Sequence, residues 1–166
     1  MKYHNITHED MINGEGIRVV LWVAGCNHHC KGCQNPITWN HNYGVKFDKS
    51  AMYEIYNELD KPYCNGITFS GGDPFYPKNR KTVLKVIKNI KAKYPHQTIW
   101  IYTGYLFEDI KDKKYINKIL KYTDVLLDGE YIEELNSPDK HWVGSSNQRV
   151  IDVQKSLKQN KIIIYE

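Results

Sequence analysis

Residues 17–33 read IRVVLWVAGCNHHCKGC: an apolar, β-branched run from Ile17 to Ala24, stopped by Gly25, then three cysteines at Cys26, Cys30 and Cys33. A short apolar run bounded by glycine is the pattern of a buried strand. The cysteines therefore lie on the loop at the carboxyl end of that strand. The spacing is C-x3-C-x2-C, close enough for three thiolates to converge on one soft metal centre.

Outward from this stretch, strands alternate with helices. Asp48–Leu59 has apolar residues at Met52, Ile55, Tyr56 and Leu59, the spacing of one helix face. Gly66–Phe69 is a short strand ending in Ser70-Gly71-Gly72-Asp73-Pro74. Asn79–Tyr94 is helical, with Val83, Leu84, Val86, Ile87 and Ile90 as its core stripe and Pro95 beyond its end. Thr98–Tyr102 is a strand broken by Thr103-Gly104. Ile116–Tyr122 is a helix, with a turn of helix at Leu106–Lys111 before it. Asp124–Leu127 is a strand ended by Asp128-Gly129. Arg149–Val153 and Lys161–Tyr165 are candidates for further short strands. This alternation predicts an α/β fold with a parallel sheet and crossover helices, whose chemistry sits at the carboxyl ends of the strands. About four to six strands fit, too few to close an eight-stranded barrel, so the expectation is an open, partial (β/α) barrel. We find no internal repeat or linker, and expect residues 1–166 to form one domain.

The composition is that of a globular protein, with 41% hydrophobic and 25% charged residues. The net charge of +4 comes from scattered lysines, concentrated mildly at Lys78–Lys93 and Lys111–Lys121. They read as solvated helix faces, so no nucleic-acid partner is expected. Met1–Asp10 is polar, without the apolar core of a signal peptide, and no apolar run nears the ~20 residues of a membrane span. The expectation is a cytoplasmic chain with no membrane association and with reduced thiols. Metal binding is then the default use of the clustered cysteines. A [4Fe–4S] cluster on Cys26, Cys30 and Cys33 would leave one iron open, unless Cys64 supplied a fourth thiolate. Cys64 otherwise reads as a small buried hydrophobe. The competing metal is zinc, with His28 or His29 completing a Cys3His set, although zinc ligands usually come as two separated pairs.

The C-x3-C-x2-C loop after the first strand and Ser70–Pro74 after the second resemble the cysteine and Gly-Gly-acid-Pro motifs of the radical S-adenosylmethionine enzymes. More narrowly, the chain resembles the family of activating proteins of anaerobic (class III) ribonucleoside-triphosphate reductases. The resemblance rests on Asn13-Gly14-Glu15-Gly16 with Arg18, Gly25 through Pro36, Thr38-Trp39, Ser70–Pro74, Trp100 through Tyr105, Asp124–Gly129 and Gly144-Ser145-Ser146-Asn147-Gln148-Arg149. Two positions depart from the wider superfamily. Gly32 stands where an aromatic often precedes the third cysteine, and Asp73 replaces the commoner Glu.

The resemblance implies a [4Fe–4S] cluster on Cys26, Cys30 and Cys33, with S-adenosylmethionine on the open iron. It also implies that the backbone of Gly71 and Gly72 accepts the methionyl ammonium, and that Gly32, Cys33 and Gln34 lie near the adenine. Asp128, a carboxylate ending an apolar strand, is a candidate for the ribose hydroxyls, or simply part of an Asp-Gly turn. No catalytic side chain is implied beyond the cluster and its ligand. The implied product is a glycyl radical on the partner reductase, with an external electron donor such as flavodoxin. Other readings are an activator of a different glycyl radical enzyme, a carboxy-deazaguanine synthase-like enzyme, or a zinc-stabilised binding module. The role of Ser145–Arg149 is left open.

Overall fold

The computed structural model describes residues 1–166. In chain order the elements are β1 (Lys2–Asp10), β2 (Ile17–Val23), β3 (Val45–Lys46), α1 (Lys49–Leu59), β4 (Cys64–Gly71), α2 (Arg80–Lys93), β5 (Thr98–Tyr102), α3 (Phe107–Ile110), α4 (Ile116–Leu120), β6 (Val125–Asp128), β7 (Arg149–Asp152) and α5 (Val153–Gln159). One seven-stranded sheet runs in the order β3-β1-β2-β4-β5-β6-β7. Its middle, β2-β4-β5-β6, is parallel, whereas β1 and β7 pair antiparallel on either side. The expected parallel sheet is therefore only the centre of a mixed one. The sheet is open, with β3 and β7 as its two edges.

The sequence pattern missed β1. Its residues KYHNITHED carry little apolar alternation, and only Ile6 is buried. Pairing with the buried β2, at Ile6 opposite Leu21 and Thr7 opposite Val20, makes it a strand. The carboxyl-terminal expectation also changes. Arg149–Asp152 is a strand, but Asp152 then caps α5, its carboxylate accepting the Lys155 amide at 2.9 Å. Lys161–Tyr165 forms no strand of its own and touches the sheet through one bridge, Ile151 to Ile164.

The pleat sorts the sheet into two faces. Val19, Leu21, Val23, Ile67, Phe69, Ile99, Ile101 and Leu126 point to one side, where they join Ile55, Val83, Ile87, Ile90 and Ile119 of the helices in a single core. Each such side chain, fully withdrawn from water, contributes roughly 1.5–3 kcal/mol. The alternate residues point to the other face. There Trp100, Val125 and Leu127 form a small cluster with Trp142 and Tyr165. Arg18 is buried on this face without a carboxylate partner. Its guanidinium donates to Thr68 Oγ1 and Thr98 Oγ1, both at 2.9 Å, and to three carbonyls. Burial lowers its pKa to about 10. The helices thus cover one face, and the other supplies the floor of a cavity. No helix is long and apolar enough to cross a membrane.

Candidate functional site

The cavity, of about 610 Å³, opens at the carboxyl ends of the parallel strands, within the usual range for ligand sites. Its floor carries Trp22, Ser70 and Tyr102, from the face without helices. Cys26, Cys30 and Cys33 all line it, together with Gln34, Gly71, Gly72, Asp73, Thr103 and Gly104. The strand-end loops named from sequence are therefore neighbours in space. The cysteine loop is closed at its base by the turn at Pro36–Thr38: the amides of Gly25 and Cys26 donate to the carbonyls of Thr38 and Trp39 at 2.7 and 3.0 Å.

Each of the three sulfurs is met by backbone amide. The amides of His28 and His29 face Cys26, that of Tyr131 faces Cys30, and that of Asn35 lies 3.4 Å from the Cys33 sulfur. Burial pushes the Cys26 thiol up to about 11 and raises that of Cys30, and the amides oppose both shifts. Iron binding at these sulfurs must therefore displace protons, and the same amides then stabilise the thiolates. Three soft donors on one cavity wall, each with an amide aimed at it, fit an iron–sulfur cluster.

They fit a zinc site less well. No three His, Cys, Asp or Glu side chains converge on one ion-sized point. A cubane needs no such point, because each thiolate holds a different iron. Both ring nitrogens of His28 are engaged by carboxylates, Nδ1 donating to Glu130 at 2.7 Å and Nε2 to Asp73 at 3.0 Å. Burial pulls the His28 pKa down, but these two hydrogen bonds outweigh it and raise the value overall. The ring of His29 packs against Trp39, with centroids 4.8 Å apart. Cys64 begins β4 at the strand end opposite Gly71, about 23 Å away at ~3.3 Å per residue. It is buried in the core and does not line the cavity.

Two expected ligand contacts lie elsewhere. Asp128 has no exposed surface and does not line the cavity. The pleat turns it to the helix side, with Leu126, where its carboxylate accepts the Phe107 amide at 2.8 Å and the Arg149 Nε at 2.9 Å. It anchors the first turn of α3, which accords with the structural alternative for this strand-end Asp-Gly rather than with an open ribose acceptor. Gly32 also stays outside the cavity, beneath the side chain of Glu133.

Asp73 and the 144–149 stretch take structural roles that motif spacing does not reveal. Asp73 is buried, and its carboxylate accepts from the Phe75 amide (2.7 Å), Thr103 Oγ1 (2.9 Å), the Gly104 amide (3.1 Å) and His28. All these partners were visible as residues, but only the fold brings them together. In the second stretch, Gln148 Oε1 accepts the amides of Gly144 and Ser145, and its Nε2 donates to the Gly129 carbonyl at 2.9 Å. Asn147 Nδ2 donates to the Glu130 carbonyl at 2.8 Å. The segment braces the Gly129–Tyr131 wall of the cavity.

Residues 12–151 match the model of the 4Fe-4S single cluster domain family. The chain is 46% identical over 151 residues to the anaerobic ribonucleoside-triphosphate reductase-activating protein of Enterobacteria phage T4, covering 90% of this chain and 93% of that one. The chain belongs to the anaerobic ribonucleoside-triphosphate reductase-activating protein family. Relatives of the same name from Haemophilus influenzae and Escherichia coli K12 are 41% and 38% identical, over 89% and 90% of this chain and 96% and 97% of theirs. The match to a 4Fe-4S single cluster domain supports an iron–sulfur cluster as a cofactor of this chain, and the cysteine-lined cavity lies within the matched stretch.

Proposed function

We propose that the chain is a radical S-adenosylmethionine enzyme that generates the glycyl radical of an anaerobic ribonucleoside-triphosphate reductase. The observation that carries this reading is the meeting of Cys26, Cys30 and Cys33 with Gly71 and Gly72 around one cavity at the strand ends. Cys26, Cys30 and Cys33 would hold a [4Fe–4S] cluster, leaving one iron for the methionyl end of S-adenosylmethionine. When bound, the cluster would supply the electron for reductive cleavage of S-adenosylmethionine, the chemistry from which a glycyl radical on the reductase would follow.

This chain's own residues bind and orient. The backbone at Gly71 and Gly72, bare of side chains, approaches the ligand closely and offers carbonyls to the methionyl ammonium. Asp73 is saturated by hydrogen bonds from its own protein, so it shapes this loop rather than receiving the ammonium. Cys33 and Gln34, which line the cavity, would lie beside the adenine, and Gly32 would contribute only through the backbone turn that leads to them. The cavity at the strand ends of the open sheet, read as a partial barrel, would admit a glycine-bearing loop. Ile12, 78% exposed, lines the cavity, its chain neighbour Met11 is 73% exposed, and the pair would meet the reductase there. The electron would come from an external donor such as flavodoxin, and the whole would operate as a single cytoplasmic domain.

The test is anaerobic. The reconstituted, reduced protein should convert S-adenosylmethionine to 5′-deoxyadenosine, and addition of the reductase should give a glycyl radical in electron paramagnetic resonance. A fully loaded sample that cleaves no S-adenosylmethionine would refute the reading.

A further inference from the structure

We propose that His28 is the positioning residue that fixes the cysteine loop against the two facing cavity walls, and so sets the affinity for S-adenosylmethionine. The inference rests on the radical-enzyme reading above and adds a residue to it. His28 lies in the cysteine loop, between Cys26 and Cys30, with its side chain only 9% exposed. Its two ring nitrogens reach in opposite directions. Nε2 donates to Asp73 on the β4–α2 loop, next to Gly71 and Gly72. Nδ1 donates to Glu130 on the β6–β7 connection, next to Tyr131. One ring therefore ties together the three segments that carry the sulfurs, the glycine pair and the outer wall.

Asp73 is itself fixed through its carboxylate, and Glu130 through its backbone. Asp73 is held by Thr103 Oγ1 and the amides of Phe75 and Gly104, while its own amide donates to the Gly25 carbonyl at 2.7 Å. The carbonyl of Glu130 is held by Asn147. The ring is fixed in orientation as well. It lies directly on Gly104, where a Cβ would come within 2.6 Å of His28 Cδ2. It also meets the Tyr105 ring edge-on, with centroids 4.5 Å apart. A histidine that only filled space would not need a glycine beneath it and a carboxylate at each end. Because both nitrogens are taken by carboxylates, His28, although it lines the cavity, acts through position rather than as a ligand.

The test compares H28A, E130A and E130Q with the unaltered protein, each reconstituted anaerobically. Iron and sulfide content should be unchanged in all three. S-adenosylmethionine binding to the unreduced protein, measured by calorimetry, should weaken about 10–100-fold in H28A, the range seen when groups supporting a metal site are removed. E130A should weaken it less, and E130Q, which keeps an acceptor for Nδ1, should recover most of the loss. In the cluster-free chain, amide hydrogen exchange at Gly104 and Tyr131 should accelerate in H28A. H28A with unaltered affinity and exchange would overturn the proposal. If H28A failed to load its cluster, E130A and E130Q would decide, and equal affinities in those two would overturn it. Failure of the unaltered, loaded protein to bind S-adenosylmethionine would refute the function, while the exchange measurement would still test the clamp.

Discussion

Gly72→Ala should separate the cysteine loop from its facing wall. A Cβ built at Gly72 would lie 2.5 Å from the Gly25 oxygen and 2.9 Å from both the Gly25 carbon and the Thr38 oxygen. All three are backbone atoms of the cysteine loop, so no side chain can swing away. Ordinary contact begins near 3.4 Å, so the two loops must part by about 0.9 Å, in a core region that resists such overpacking. That motion stretches the bond from the Asp73 amide to the Gly25 carbonyl, now 2.7 Å. Overpacking costs roughly 1–3 kcal/mol and a lost hydrogen bond about 1 kcal/mol, which together predict destabilisation of about 2–4 kcal/mol. Misplacement by about 1 Å also predicts a loss near 10²-fold in S-adenosylmethionine cleavage. Gly129→Ala is the control. Its φ of +99° costs strain, but a Cβ there meets nothing closer than 3.7 Å, so it should lose only about 1 kcal/mol. Urea unfolding of the cluster-free chain gives the stabilities, and nucleoside product gives the rate. A G72A protein within about 0.5 kcal/mol of the unaltered one, and equally active, would show that the two loops are not in mutual contact as described.

Cys33→Ala should abolish cluster assembly, measured as iron and sulfide content, whereas Cys64→Ala should leave it intact at a stability cost of about 1 kcal/mol. Loss of the cluster in C64A would contradict its place at the far end of β4. Arg149→Ala should destabilise by about 3–5 kcal/mol in urea unfolding, because Asp128 would keep a buried carboxylate without its cation. The hydrogen bonds of Arg149 lower the pKa of Glu108. Their contribution is present above the unfolded value of about 4.3 and is lost as pH falls through the folded one. The stability of E108Q should therefore fall less steeply than that of the unaltered protein below about pH 4, by a small margin because Glu108 is half exposed. M11S/I12S should keep S-adenosylmethionine cleavage by chemically reduced protein but lower the glycyl radical yield on the reductase about tenfold. An unchanged yield would remove the pair from the docking surface.

Much of the site was legible because parallel sheets gather their strand ends. Apolar runs ending at Gly25, Ser70, Tyr102 and Leu127 fixed where the loops had to meet, without any knowledge of contacts. What the pattern could not carry was the side to which each residue turned. Asp128 looked like a ligand because it ended a strand, and the two-residue period that places Leu126 in the helix core sends Asp128 the same way. β1 escaped notice for a related reason: its strand character comes from β2 rather than from its own apolar content.

Partner identity was the least legible property of all. Asp73, His28 and Glu130 are separated by 45 and 102 residues in pairs from His28, yet they share one ring's two nitrogens. Local spacing leaves His28 either a polar loop residue or a fourth ligand beside three cysteines. Chemistry reads it otherwise once the carboxylates are in view, since each carboxylate accepts a proton-bearing nitrogen and leaves none for a metal. The same logic applies to Gln148, whose amide satisfies three backbone groups that no sequence pattern joins. In both cases a long-range polar contact, costly to leave unmade in a half-buried site, decides the role of a residue that composition alone leaves ambiguous. The cysteines are the proposed seat of the cluster, and these contacts hold the walls around it at a fixed separation.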